Sequence, residues 1–292
     1  MTAMIQLTLD GSLVKEQHLV SLRVLSKSMA HLQSASDRAY LDVLHGNVWK
    51  HQKLLRRHYA DADFQVDSIR QGSFVIEFVS TRGREIVRRL HQALVSPYAG
   101  ATAGGDKEVF QISVQVARRK GQLDNELVAP QTYENLVENP DPLVTRKYGD
   151  RSINKEIDQL LVPVRADPAA VLKLALKSDE HAGTETYEFT QQVAKAFHRE
   201  ISVRELGTPV IYRGRLRSLD HGHNKNWNLK GKFINTVNNK DIVLNIQTED
   251  DFNQLVPYLN QDPLTIIACP IIEYASFDPT AGDIQFIQII RC

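Results

Sequence analysis

Apolar and polar positions alternate most regularly over residues 211–292. Within 241–247, Ile242, Leu244 and Ile246 fall on one face and Val243, Asn245 and Gln247 on the other, the period-2 pattern of a half-buried strand. Further strands are predicted over 211–218, 230–237, 264–274 and 284–290. Asn238-Asn239-Lys240-Asp241 supplies turn chemistry between the second and third strands, because Asn and Asp tolerate positive φ. After the third strand, Thr248 with Asp251 three residues on approximates a capping box. Phe252, Leu255, Val256 and Leu259 then share a helical face, and Pro257 keeps that helix short. Three strands, a helix and two more strands is the layout of an OB-like small β-barrel, which removes its sheet edges by closing on itself. Pro270 inside the fourth strand predicts a bulge or an edge there.

At the other end, Ile5, Leu7 and Leu9 alternate with Gln6 and Thr8 up to Asp10-Gly11 and predict a first strand. The period then changes: Leu22, Leu25, Met29, Leu32, Ala39 and Val43 form the stripe of a long helix ending near Gly46. A second helix is expected over 47–60, a hairpin over 64–79 and a helix from Arg82 to about Val95 with Ile86, Leu90 and Leu94 inward. Together these make an α+β domain over residues 1–100. The glycine-rich 99–106 reads as a linker. Residues 101–208 read as a mostly helical connector, with helices over 133–137, 153–161, 168–176 and 191–199 and a short strand over 186–189. Residues 108–120 fit a strand by the alternation of Phe110, Ile112, Val114 and Val116, or a helix, which the helical neighbourhood favours. The barrel occupies 209–292.

Composition adds limits. At 292 residues the chain suits more than one core. Lys plus Arg equals Asp plus Glu at 35 each, so net charge argues for neither nucleic acid nor membrane. Two cysteines, Cys269 and Cys292, exclude a disulfide framework and fit a reducing, cytoplasmic setting. No apolar run approaches the ~18 residues of a spanning helix.

Candidate chemistry is confined to cations. Strand alternation places Arg213, Arg215 and Arg217 on one face, where guanidiniums can follow a row of phosphates. The loop after them carries Lys225 and Trp227, a cation and a stacking surface where OB barrels contact oligonucleotides. Lys50, Lys53, Arg56 and Arg57 give the expected second helix a basic face, and Arg82, Arg84, Arg88 and Arg89 do the same for the next one. A solvated face of amphipathic helices is the favoured explanation of these helical charges. The plainer reading of the arginine row is likewise a solvated face beside a polar hairpin loop, with Trp227 folded onto the barrel. His221 and His223 are too few for a zinc site. Asp61, Asp63, Asp67 and Glu77 lack the lysine of a nuclease core, and 100–107 lacks the Lys-Ser/Thr of a P-loop. No catalytic, cofactor or metal motif is found.

The runs Leu32-Gln33-Ser34-Ala35-Ser36-Asp37-Arg38, Arg70-Gln71-Gly72-Ser73-Phe74 and Gly214-Arg215-Leu216-Arg217-Ser218-Leu219-Asp220, with Gly231-Lys232-Phe233 and Gly282-Asp283-Ile284, resemble a group of uncharacterised bacterial two-domain proteins. In those, found among accessory and defence-type genes, an N-terminal α+β domain precedes a small β-barrel. The resemblance implies an architecture and transfers no catalytic residues. The expectation is a non-enzymatic binding or sensor protein whose barrel engages nucleic acid, a nucleotide or a protein partner. The alternatives are a structural subunit of a homo- or hetero-oligomer and an unrecognised metal-dependent hydrolase or nuclease.

Overall fold

The structure is a computed structural model. It describes the chain apart from Met1, Asn47, His51, Asp262 and residues 16–18, 71–73, 105–110, 140–141, 180–182, 223–228 and 291–292, and apart from the side chains at 70, 142, 143, 145 and 146. The first half comprises β1 (Ala3–Gly11), β2 (Val14–Lys15), β3 (Leu19–Val20), α1 (Leu22–His45), α2 (Tyr59–Ala62), β4 (Gln65–Arg70), β5 (Phe74–Ser80), α3 (Arg84–Ala103), α4 (Ile112–Asp124), β6 (Gln131–Thr132) and α5 (Tyr133–Glu138). The second comprises α6 (Pro142–Leu160), α7 (Val162–Ala166), β7 (Ala170–Lys177), β8 (Glu185–Phe189), α8 (Gln191–Ser202), β9 (Arg204–Leu206), β10 (Val210–Asp220), β11 (Lys230–Asn235), β12 (Asp241–Asn245), α9 (Glu249–Leu255), β13 (Leu264–Glu273) and β14 (Ile284–Ile289). Helix and strand are thus mixed, consistent with the α+β expectation.

Two compact units divide the chain: Met1–Val48, Gln52–Lys107 and Gly149–Ser202 form one, and Trp49–His51, Glu108–Tyr148 and Val203–Cys292 the other. The expected connector over 101–208 is therefore shared between them.

In the first unit an antiparallel sheet runs β4-β5-β1-β7-β8. Leu7 stands opposite Ile76 on one side and Leu174 on the other, so the apolar rows of three strands coincide, with α3 packed against β1 and β7. Helix α1 stops at Gly46, whose φ of 71° lets its N–H reach the carbonyl of Asp42. Three expectations fail here. The helix expected over 168–176 is replaced by β7, Ala170–Lys177. The Ala and Leu content of this stretch favours a helix, but Ala170, Leu172, Leu174 and Leu176 also read as period 2, and pairing to β1 and β8 decides between the two. The helix expected over 47–60 is reduced to a 3₁₀ turn at Arg56–His58 and the short α2. The expected linker at 99–106 is helical as far as Ala103, where Gly104 closes α3 in the left-handed conformation.

In the second unit β10, β11, β12, β14 and β13 pair in turn and β13 returns to β10, closing a five-stranded barrel. All neighbours are antiparallel except β12 and β14. Tyr212, Leu216, Phe233, Leu244, Ile266 and Phe286 fill the interior, with Phe252 and Leu255 of α9 packed into the same core. Thr248 caps α9 as predicted, its Oγ1 accepting from the N–H of Asp251 at 3.1 Å. Gly214 has no room for a side chain: a Cβ there would stand 2.2 Å from the carbonyl oxygen of Ile234 and 2.5 Å from the Phe233 ring. The register shift in β13 falls at Ile267/Ala268, ahead of Pro270, which stays opposite Ile284. Pro270 sits where β13 passes from β10 to β9, a place where its missing N–H interrupts no ladder.

Segments from outside the barrel strands complete this unit. β6 pairs with β10 at Val210 and Ile211, and Tyr133 of α5 packs on Tyr212 with ring centroids 5.3 Å apart. Helix α4 lays Val116 on Ile267, Cys269 and Ile287, which point outward from β13 and β14, and Leu206 of β9 joins the cluster. Burial pushes the Cys269 thiol up to about 12.

Candidate nucleic-acid interface

One side of the barrel's exterior is covered by α4 and β9. On the side formed by β10, β11 and β12, the outward residues of β10 are Arg213, Arg215 and Arg217, all exposed, between the buried Tyr212, Gly214 and Leu216. Alternation along one strand spaces them about 6.6 Å apart. The alternation ends in a bulge between Leu216 and Ser218, which leaves Arg217 as the extra outward residue.

Register brings in two cations that sequence reasoning had not assigned. Lys232 stands opposite Ser218 and Lys230 opposite Asp220, and both lysines are exposed. Their alternation with Gly231 and Phe233 was visible in the sequence. Their place beside the arginine row depends on strand pairing. The next strand adds Val243 opposite Lys232 and Asn245 opposite Lys230. Two carboxylates share this face, Asp220 and Asp241. Asp241 approaches Arg217 at 3.5 Å, while no carboxylate of the described residues pairs with Arg213 or Arg215.

The loops around the face differ in character. Lys225 and Trp227, with His223, lie outside the described residues. His221 packs its ring 4.0 Å from that of Phe252 and lies 3.5 Å from Glu249, a contact with α9 instead of a metal clamp. The β13–β14 loop is pinned. The buried Asp278 accepts from the N–H groups of Lys50, Thr280 and Ala281 and from the Thr280 hydroxyl. Tyr133 donates its hydroxyl to the Pro279 carbonyl at 3.0 Å and accepts from Asn238 at 2.6 Å. Burial, then the charges of Asp278 and Glu134, push the Tyr133 hydroxyl up to about 12.

The second set of predicted cations is dispersed. Lys50 donates its ammonium to Asp283 at 2.6 Å and its backbone N–H to Asp278, so its backbone bonding is tertiary and no helix forms there. Lys53, Arg56 and Arg57 belong to the first unit and are exposed; Arg57 donates to the ring of His58. The basic surface expected on α3 is neutralised. Arg82 pairs with Asp61, Arg84 with Asp179 and Arg88 with Glu85, and Arg89 is buried between Asp42 and Asp150. Glu77 accepts from Ser68 at 2.8 Å, and no group of three His, Cys, Asp or Glu among the described residues is placed to hold a metal. No helix of the described residues is long and apolar enough to cross a membrane.

Comparison with protein-family models, with curated proteins and with solved structures finds no match to this chain.

Proposed function

We propose that the C-terminal barrel is an OB-type module that binds the backbone of single-stranded nucleic acid on the exterior of β10, β11 and β12. The open cationic face carries this reading: Arg213, Arg215, Arg217, Lys230 and Lys232 are exposed on adjacent strands. Two features of the barrel support the fold assignment. Its first strand closes on its fourth, and its third and fifth run parallel with a helix between third and fourth, the five-stranded closure of an OB barrel. The face includes the second and third strands, the surface such barrels use for oligonucleotides. A single line of guanidiniums suits one extended strand whose phosphates are met in sequence. Contacts to phosphate carry no base information, so binding is sequence-tolerant.

The test is fluorescence anisotropy with labelled oligo-dT and oligo-U. With five phosphate contacts, affinity falls about a hundredfold between roughly 50 and 200 mM salt, since single strands give a slope of about −0.7 per contact. Replacing Arg213, Arg215 and Arg217 together by Gln lowers the slope by about 2. Absence of binding at micromolar protein, or a triple variant with unchanged affinity and slope, refutes the proposal.

A further inference from the structure

The first unit holds a cavity of about 550 Å³ bounded by one face of α1, the 52–54 segment, α2 and Glu156. That volume lies within the ~300–1,000 Å³ of small-molecule sites. Its apolar base is Leu41 and Ala62, both buried, with Leu54 beside them. Around that base stand three carboxylates, Asp37, Asp63 and Glu156, and two cations, Arg38 and Lys53. Glu156 is engaged by the His31 ring at 2.9 Å, which leaves two carboxylates facing two cations.

We infer that this cavity is a binding site for a small zwitterion of the amino-acid type, its ammonium held by Asp37 and Asp63, its carboxylate by Arg38 and Lys53, and an aliphatic side chain laid on Leu41 and Leu54. The charges argue against simpler ligands. An anion alone would meet Asp37 and Asp63, a diamine alone would meet Arg38 and Lys53, and a bare metal ion finds no three-ligand cluster among the described residues. A ligand carrying both signs satisfies both pairs. Arg38 donates Nη1 to the Gln52 carbonyl at 3.1 Å, and Asp37 accepts from Gln33 at 2.8 Å. Burial raises the Asp37 pKa, and the nearby Asp63 charge adds to that rise; an arriving ammonium relieves both. A carboxyl perturbed by burial and by a like charge inside a cleft marks a candidate ligand site, here alongside the cavity and its paired charges.

The experiment is calorimetric titration of the full chain with L-leucine, L-lysine and glycyl-leucine, alongside putrescine, succinate and AMP. At least one zwitterion saturates the site, and it binds about tenfold or more tightly than the single-sign compounds, one charge-assisted hydrogen bond being worth that much. Asp63→Asn and Lys53→Ala, both at exposed positions, each weaken it by about tenfold or more while leaving the melting temperature unchanged. Three results would overturn the assignment: no heat from any zwitterion at about 10 mM, binding of putrescine, succinate or AMP in preference, or full affinity in both variants.

Discussion

Arg217 Nη1 stands 3.5 Å from Oδ2 of Asp241, with 60% and 51% of the two side chains exposed. A pair this open contributes at most about 1 kcal/mol to stability. Its consequence is for the proposed ligand, because Asp241 competes with a phosphate for Arg217. Asp241→Asn is expected to tighten oligonucleotide binding while leaving the salt slope unchanged, because Arg217 is already one of the five phosphate contacts and only loses a competitor. Unfolding free energy should move by less than ~0.5 kcal/mol. Anisotropy and urea melts on the same preparation check both halves.

Lys120 of α4 lies 2.7 Å from Asp251, whose side chain is only 5% exposed. Oδ2 of Asp251 has no hydrogen-bond partner among the described residues, so the lysine is its main compensation. Lys120→Met is expected to cost about 2–4 kcal/mol in urea unfolding, below the upper range for broken buried pairs because Lys120 is itself partly exposed. Adding Asp251→Asn should recover part of that loss. Equal stability of wild type and Lys120→Met would show that the pair does not hold α4 in place.

Tyr133 makes a statement about alkaline stability. Its folded pKa is about 12 against 10.0 for the free side chain. The folded state therefore keeps a proton that the unfolded chain has begun to lose. This contribution is intact below pH 10 and declines as pH rises through 12, by on the order of 2–3 kcal/mol. Urea midpoints from pH 9 to 12 should fall, and less steeply in Tyr133→Phe. Parallel profiles would remove Tyr133 from the explanation.

Gly214 and Gly46 should respond differently to alanine. At Gly214 the obstacle is space, with backbone and the Phe233 ring in the way, so Gly214→Ala is expected to cost about 3 kcal/mol or more. Around Gly46 nothing lies within 4 Å, and its φ is +71°; Gly46→Ala should cost about 1 kcal/mol from backbone conformation alone. Circular dichroism melts of the two variants separate the mechanisms.

Local chemistry alone determined a good deal of this protein. The alternation around Arg213, Arg215 and Arg217, the Thr248 cap, the stop at Gly46 and the helix between the third and fourth barrel strands are set by residues within a few positions of one another. What depended on partners far along the chain was not legible. Residues 170–177 suit helix and strand alike, and only pairing with β1 and β8 selects the strand. Arg89 looks like any surface arginine until Asp42 and Asp150 enclose it, and Lys50 until Asp278 and Asp283 hold it. Closure of the barrel, the covering of one side by α4 and the arrival of Lys230 and Lys232 beside the arginine row are likewise tertiary. Burial and cross-strand neighbours come from residues tens to hundreds of positions apart, and no local period encodes them.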